Sequence, residues 1–88
     1  MTWTVEISET AARQLAKLDR PMQERIRRFL RGRLASEADP RRIGKALQGR
    51  HALLWRYRVG DYRLICQLRD PQRVVLLVAV GHRREIYR

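Results

Sequence analysis

Residues 53–59 and 62–68 flank the dipeptide Gly60-Asp61, and this stretch constrains the fold more than any other part of the sequence. Apolar side chains recur at about every second position on both sides of the dipeptide, which is the pattern of strands with one buried face. A two-residue loop that contains glycine suits a type I′ or II′ turn. The sequence therefore predicts a β-hairpin in which the turn fixes the register and Arg58 faces Arg63.

The pleat of this hairpin would sort its side chains onto two faces. The face predicted to join the core carries Trp55, Tyr57, Val59, Tyr62, Leu64 and Cys66. The opposite face carries Arg56, Arg58 and Arg63. Like charges that face each other across a sheet cost up to ~1 kcal/mol, whereas a guanidinium group can bind two phosphate oxygens at once. The arginines therefore favour a bound polyanion over the alternative, an ordinary solvated surface.

The chain is strongly basic. Its formal net charge is +11 at pH 7, from 20 basic and 9 acidic residues, and every basic residue except Lys17 and Lys45 is an arginine. So positive a field attracts polyanions, which here means RNA, DNA or an acidic protein partner. The charge alone does not choose among these three.

The expected compartment follows from the single cysteine, Cys66, which excludes an intrachain disulfide and favours reducing conditions. The first residues lack the pattern of a signal peptide. The longest apolar run, 74–80, is too short to span a bilayer. We therefore expect a cytoplasmic protein without a membrane partner.

The remaining sequence predicts a strand over 2–7, two helices, and a further strand over 74–80. Ser8 or Thr10 can cap the first helix, and Pro21 suits the first turn of the second. The run 74–80 is apolar throughout, as expected for a central strand covered on both faces. The layout predicts an α+β fold, with two N-terminal helices packed on a small, mostly antiparallel sheet, in one domain that spans the whole chain. The apolar helix stripes are Ala11, Leu15 and Leu18, then Met22, Ile26, Phe29, Leu30 and Leu34.

Further cations lie on the second helix and in the basic connector that follows Asp39-Pro40. Each could belong to a solvated surface or could contact nucleic acid. The set predicted to contact RNA comprises Arg25, Arg28, Arg41, Arg42, Lys45 and Arg50.

The chain ends with VGHRREIYR, directly after the predicted strand 74–80. If that strand neighbours the hairpin, His82, Arg83 and Tyr87 can reach the face that carries the arginines. This inventory, without a metal-ligand cluster or cofactor motif, suits RNA cleavage by the 2′-hydroxyl, in which a base removes a proton and cations stabilise the phosphorane. Guanidinium groups stay protonated, so His82 and Tyr87 are the candidates for proton transfer.

The segments DPRRIGKALQG, LWRYRVGDYRLI and VGHRREIYR, in this order after two helices, resemble the RelE toxins of the RelE/ParE superfamily of bacterial toxin–antitoxin systems. The resemblance covers the whole chain and is specific over 39–88. It implies a RelE-like microbial RNase fold and a metal-independent endoribonuclease that cuts messenger RNA in the ribosomal A site. The catalytic residues carried over by position are Arg56, Arg58, Arg63, Arg83 and Tyr87, and His82 remains the rival of Tyr87 as general base.

The resemblance also implies partners. A cognate antitoxin, RelB-like or of another family and acidic or amphipathic, would inhibit the toxin in a complex such as a heterotetramer. The ribosome and its message would be the targets, contacted by the basic set named above. Two other functions stay open, a gyrase-binding poison of the ParE branch and a catalytically weak nucleic-acid binder. The presence of Arg63, Arg83 and Tyr87 favours the endoribonuclease.

Overall fold

The fold is a five-stranded mixed sheet with two helices packed on it, seen in a computed structural model that describes residues 2–47 and 53–85. The strands lie in the order β1-β5-β4-β3-β2, with β1 parallel to β5 and the other neighbours antiparallel. The predicted α+β fold is confirmed, and the short strand β2 within the basic connector is an addition to the prediction. In chain order the elements are β1 (Thr4–Ile7), α1 (Glu9–Ala16), α2 (Arg20–Arg28), a π-helical turn (Phe29–Leu34), a 3₁₀ turn (Pro40–Ile43), β2 (Lys45–Ala46), β3 (Leu54–Val59), β4 (Tyr62–Arg69) and β5 (Val74–His82).

The two helices begin where the sequence predicts. Ser8 caps α1, since its Oγ accepts a hydrogen bond from the backbone N–H of Ala11 at 3.1 Å. Pro21 lies in the first turn of α2, where a missing N–H leaves no hydrogen bond unmade. The apolar stripes of the two helices pack against the sheet and form one core with it. The fully buried residues of this core include Ala11, Leu15, Ile26, Leu30, Leu34, Leu64, Cys66, Val75 and Leu77. No helix among residues 2–47 and 53–85 is long and apolar enough to cross a membrane.

The hairpin has the predicted register. Arg58 faces Arg63 and Val59 faces Tyr62 across a two-residue loop. Gly60 has a φ of 59° and Asp61 does not share this positive φ, so the turn is type II′. Glycine is needed at the first position of such a turn because a side chain there would be strained.

Strand β5 departs from the prediction. Val75 and Leu77 are buried in the core with the helices, whereas Val74 and Leu76 are only half-buried on the other side, so the expectation of a strand covered on both faces is wrong. The register with β4 also shifts, because Ile65 pairs with Ala79 and the next residue of β4, Cys66, pairs with Leu77. Val78 is therefore the extra residue of a β-bulge.

Side chains of α1 and of its N-cap support β5 where β1 has ended. Ser8 Oγ donates to the carbonyl of Val78 at 3.3 Å, and Gln14 Oε1 accepts from the backbone N–H of Val80 at 2.7 Å. These contacts replace strand partners for buried backbone groups beside the bulge. The bulge is thus held by the packing of α1 on the sheet.

Candidate functional site

The site begins with two rows of side chains on the hairpin face turned away from the helices, here called the arginine face. In one row Lys45 of β2, Arg56 of β3 and Ile65 of β4 are neighbours. In the other row Arg58 pairs with Arg63. Arg58 is exposed and Arg56 and Arg63 are half-buried. The alternation predicted from the sequence therefore brings the three hairpin arginines together.

The floor beside these arginines is formed by small residues of β5. The bulge places Ala79 beside Ile65 and Gly81 beside Arg63. Their side chains, a methyl group and a hydrogen, are much smaller than the cationic side chains of β3 and β4 on this face. No long side chain of β5 therefore stands directly beside Arg63.

Arg63 and Arg83 lie at the end of the sheet where the hairpin turns. Arg63 Nη1 donates to the carbonyl of Tyr62 at 3.2 Å and lies 3.5 Å from that of Gly60. The backbone N–H of Arg83 donates to the carbonyl of Asp61 at 2.8 Å, and Arg83 Nε lies 3.9 Å from Asp61 Oδ1. The ion pair between Arg83 and Asp61 is exposed and so contributes little stability. The backbone hydrogen bond between the same residues fixes Arg83 next to the turn.

His82 is not on the arginine face, so that expectation is wrong. Its partner across the strands is Tyr62, whose side chain packs toward the helices. The two rings meet edge to face with centroids 5.6 Å apart. The cause is the bulge, because one inserted residue turns every later side chain of a strand to the other face. His82 Nδ1 also accepts a hydrogen bond from the backbone N–H of Arg84 at 3.2 Å.

The predicted RNA-contacting set divides in two. Four of its members line a groove between β3 and the helical segment, which comprises α2 and the π-helical turn. These exposed residues are Arg25, Arg28, Arg42 and Lys45. Arg41 differs, since its guanidinium group contacts Asp70 Oδ2 at 2.7 Å and Asp39 Oδ1 at 3.2 Å and lies 5.8 Å from the centre of the Trp55 ring. The hydrogen bond that Arg41 donates to Asp70 is the main cause that raises the pKa of Arg41 above its ordinary value.

The charge of Arg41 is thus paired with two carboxylates at the surface, where the side chains of Arg41, Asp39 and Asp70 are 31%, 50% and 59% exposed. Its two carboxylate partners join the 3₁₀ turn to the turn after β4. Arg41 therefore joins these two turns, and its contact with RNA stays a prediction. Arg50 and Tyr87, also predicted as site residues, lie outside the described residues.

Two features of the site have little signal in the sequence. Gly44 is in contact with Tyr57, since a Cβ atom there would lie 2.5 Å from the tyrosine Cε1, and the Tyr57 hydroxyl donates to the carbonyl of Pro40 at 2.9 Å. This contact seats the 3₁₀ turn against β3 and places Lys45 beside Arg56. Burial raises the pKa of Tyr57 far above its ordinary value, so the hydroxyl stays a donor.

The second feature is Arg33, which lines the groove together with Arg28. An α-helical spacing would not align residues five apart, but the π-helical turn does, as the bond from Ala35 N–H to the carbonyl of Leu30 indicates. Among residues 2–47 and 53–85, no group of three histidine, cysteine or carboxylate side chains is placed to hold a metal ion.

Comparison with known proteins assigns the family. Residues 5–87 match the family model described as the ParE toxin of the type II toxin–antitoxin system parDE. The toxin RelG of Mycobacterium tuberculosis is 36% identical over 88 residues, covering 100% of this chain and 99% of that protein.

Solved structures agree with this assignment. The toxin–antitoxin complex RelBE2 from Mycobacterium tuberculosis contains a chain that matches with a TM-score of 0.88 and 33% identity, over 97% of this chain and 95% of that one. The archaeal RelE–RelB complex from Pyrococcus horikoshii OT3 gives a TM-score of 0.74 and 27% identity, over 97% and 99% of the two chains. Matches of this extent, in both sequence and fold, show that the chain belongs to the RelE/ParE superfamily of toxins of type II toxin–antitoxin systems.

Proposed function

We propose that this toxin is a ribosome-dependent endoribonuclease that cuts messenger RNA and so inhibits translation. The observation that carries the proposal is the arginine face, where Arg56, Arg58 and Arg63 lie together on a sheet face turned away from the helices, with the small residue Gly81 beside Arg63. Guanidinium groups bind phosphate oxygens in pairs. The similarity of the chain to toxins of RelBE complexes over nearly its whole length supports the same function.

In the proposed reaction the 2′-hydroxyl oxygen attacks the adjacent phosphorus and the bond from phosphorus to the 5′ oxygen breaks. The proton of the 2′-hydroxyl passes to a base, and the leaving oxygen takes up a proton. Arg63 stabilises the additional negative charge of the phosphorane, with Arg56, Arg58 and Arg83 holding the phosphate. The products are a 2′,3′-cyclic or 3′ phosphate and a free 5′-hydroxyl.

Tyr87 is the proposed general base. His82 packs against Tyr62 on the side of the sheet that faces the helices, and arginines stay protonated at neutral pH. A field of several guanidinium groups lowers the pKa of a nearby phenol because it favours the phenolate. Tyr87→Phe should therefore slow cleavage strongly, whereas His82→Gln should leave the rate of cleavage and its dependence on pH unchanged.

The proposed partner in the cell is a cognate antitoxin. Relatives of this chain are found in the toxin–antitoxin complexes RelBE2 and RelE–RelB, and a net charge of +11 favours an acidic or amphipathic partner. Such an antitoxin would cover the arginine face in a complex such as a heterotetramer. Expression of the toxin with the neighbouring gene, followed by purification of the complex, tests this; unaffected growth when the toxin is expressed alone would contradict it.

The function is tested by incubating the purified protein with ribosomes that carry a defined message and then mapping the message ends. Cleavage should appear only with ribosomes and should give 5′-hydroxyl ends. Arg63→Ala should lose the activity, and Arg31→Ala, which removes an exposed arginine elsewhere, should keep it. Ends that carry a 5′ phosphate would mean a different chemistry.

A second function is favoured by one observation, the match of residues 5–87 to a model named for ParE. A ParE-like gyrase poison would act by protein contact and would not need the arginine face to bind phosphate. Inhibition of gyrase supercoiling by the wild-type protein, unchanged in Arg63→Ala and without message cleavage, would establish it. RNA binding without either activity would identify a catalytically weak member of the superfamily.

A further inference from the structure

A groove runs along the open edge of β3, between that strand and the helical segment. It consists of two adjoining hollows of about 520 and 420 Å³ that share Phe29, Arg33 and Arg58 in their walls. We propose that this groove, called the β3 groove below, binds the sugar–phosphate backbone of single-stranded RNA beyond the phosphate that is cleaved. The inference rests on the proposed function and adds to it a path for the substrate.

Charge is the first argument for this ligand. Besides Arg33 and Arg58, the groove is lined by Arg25 and Arg28 from α2, by Arg42 and Lys45 from the connector, and by Arg56. No carboxylate side chain is among the described residues of its walls. A groove with cations on both sides and no acid matches a chain of phosphates.

The second argument is the backbone of Arg58. Within residues 2–47 and 53–85, β2 pairs with β3 only at Trp55 and Arg56. The N–H of Leu47 donates to the carbonyl of Leu54 at 3.0 Å, and backbone groups of an antiparallel strand alternate in direction. The N–H of Arg58 therefore points to the open side of β3, where it can donate to a phosphate oxygen.

The same edge argues against a peptide as the occupant. A peptide that adds to a sheet needs a row of open backbone groups. Between the residues paired with β2 and the turn at Gly60, only Arg58 offers such groups to the open side. One residue with open backbone groups is too short an edge for an added strand, so the edge favours a phosphate chain held by side chains.

The third argument is continuity with the site. Arg56 and Arg58 belong both to the arginine face and to the walls of the groove. An RNA strand with one phosphate beside Arg63 can therefore continue around the edge of β3 into the groove. Phe29 is the only aromatic residue among the described groove walls, and its ring already contacts that of Tyr57 with centroids 6.0 Å apart. The groove should thus bind RNA without preference for base sequence.

The test compares two double variants of the same helical segment. Arg28→Gln with Arg33→Gln removes two charges from the groove walls; Arg27→Gln with Arg31→Gln removes two exposed charges that do not line it. Binding of a labelled single-stranded RNA of about ten nucleotides, made uncleavable by 2′-deoxy substitution, is measured against salt concentration. The slope of log affinity on log salt should become shallower by about 1.4 in the groove variant, at ~0.7 for each lost phosphate contact.

The control double variant should keep the wild-type slope, and uridine and adenosine oligomers should behave alike. Equal slopes for the two double variants would overturn the proposal. So would unchanged RNA binding with a weakened antitoxin complex, which would make the groove a protein-binding surface. Because the assay needs no cleavage, a toxin that fails to cut message on ribosomes but keeps this difference would refute the proposed function alone.

Discussion

The two faces of the β3–β4 hairpin carry side chains with opposite tasks. On the helix face, Tyr57, Leu64 and Cys66 are 1%, 0% and 0% exposed. On the arginine face, their sequence neighbours Arg58 and Arg63 lie at or near the surface in a direct cross-strand pair. The comparison teaches that stability and the proposed activity are separated here by a single step along the chain, so that substitutions at neighbouring positions such as Arg63 and Leu64 should have different effects.

The largest expected effect is on the helix face. Leu64→Ala removes a fully buried side chain and should lower the free energy of unfolding by about 2–5 kcal/mol, because lost transfer energy and an unfilled cavity add. Urea denaturation of the variant and of Arg63→Ala measures the difference. Equal midpoints for the two variants would contradict the separation of the faces.

The next effect is on the arginine face. Arg63→Ala should reduce cleavage of ribosome-bound message roughly a hundredfold or more, the typical result of losing one donor to a developing oxyanion, about 3 kcal/mol. Its thermal midpoint should equal that of the wild type. A single-turnover assay measures the cleavage rate, and full activity in a correctly folded variant would show that Arg63 has no catalytic role.

Two glycines test how the arginine face is positioned. A Cβ atom at Gly44 would lie 2.5 Å from Tyr57, whereas one at Gly32 would meet nothing within 4 Å. Gly44→Ala should therefore cost about 1–3 kcal/mol through overpacking. Gly32→Ala, in the π-helical turn, should be neutral or stabilising by up to about 1 kcal/mol. Thermal denaturation of both variants measures this, and equal midpoints would mean that the 3₁₀ turn is not seated on β3.

The helix face should also respond to alkali. Burial raises the pKa of the Cys66 thiol from 9.0 to about 12, so the folded protein keeps a proton that the unfolded chain loses. The thiol has no effect on stability below pH 9 and should destabilise the fold between pH 9 and 12 by up to about 1.4 kcal/mol per pH unit. Cys66→Ala should show a shallower loss of stability above pH 9. An identical pH profile in the variant would contradict the burial of the thiol.

The smallest expected effect concerns the ion pairs of Arg41. Asp70→Asn removes an exposed carboxylate at 2.7 Å from the guanidinium group and should cost no more than about 1 kcal/mol. Cleavage should be unchanged, because Arg41 does not line the β3 groove and is not among the proposed catalytic residues. Tighter RNA binding by this variant would show instead that Arg41 is available to RNA once it is released.

The hairpin and its arginine face could be predicted from the sequence because a two-residue turn determines the register of both strands. The orientation of His82 could not. The run 74–80 is apolar at every position, so no alternation reveals which side chain is the extra one at Val78. Arg41 could not be assigned either, since its main partner, Asp70, lies 29 residues away, and the pairing of β2 depends on the contact between Gly44 and Tyr57.

The bulge at Val78 has a consequence for how this gene can change. The two residues that floor the site, Ala79 and Gly81, follow the bulge, and so does His82. Loss or gain of one codon between the bulge and the end of β5 would exchange the inner and outer side chains of this segment, whereas point substitutions keep their orientation. Drift in this segment is therefore limited to substitution, and an alignment that gaps it by one residue would assign each later residue to the wrong side of the sheet.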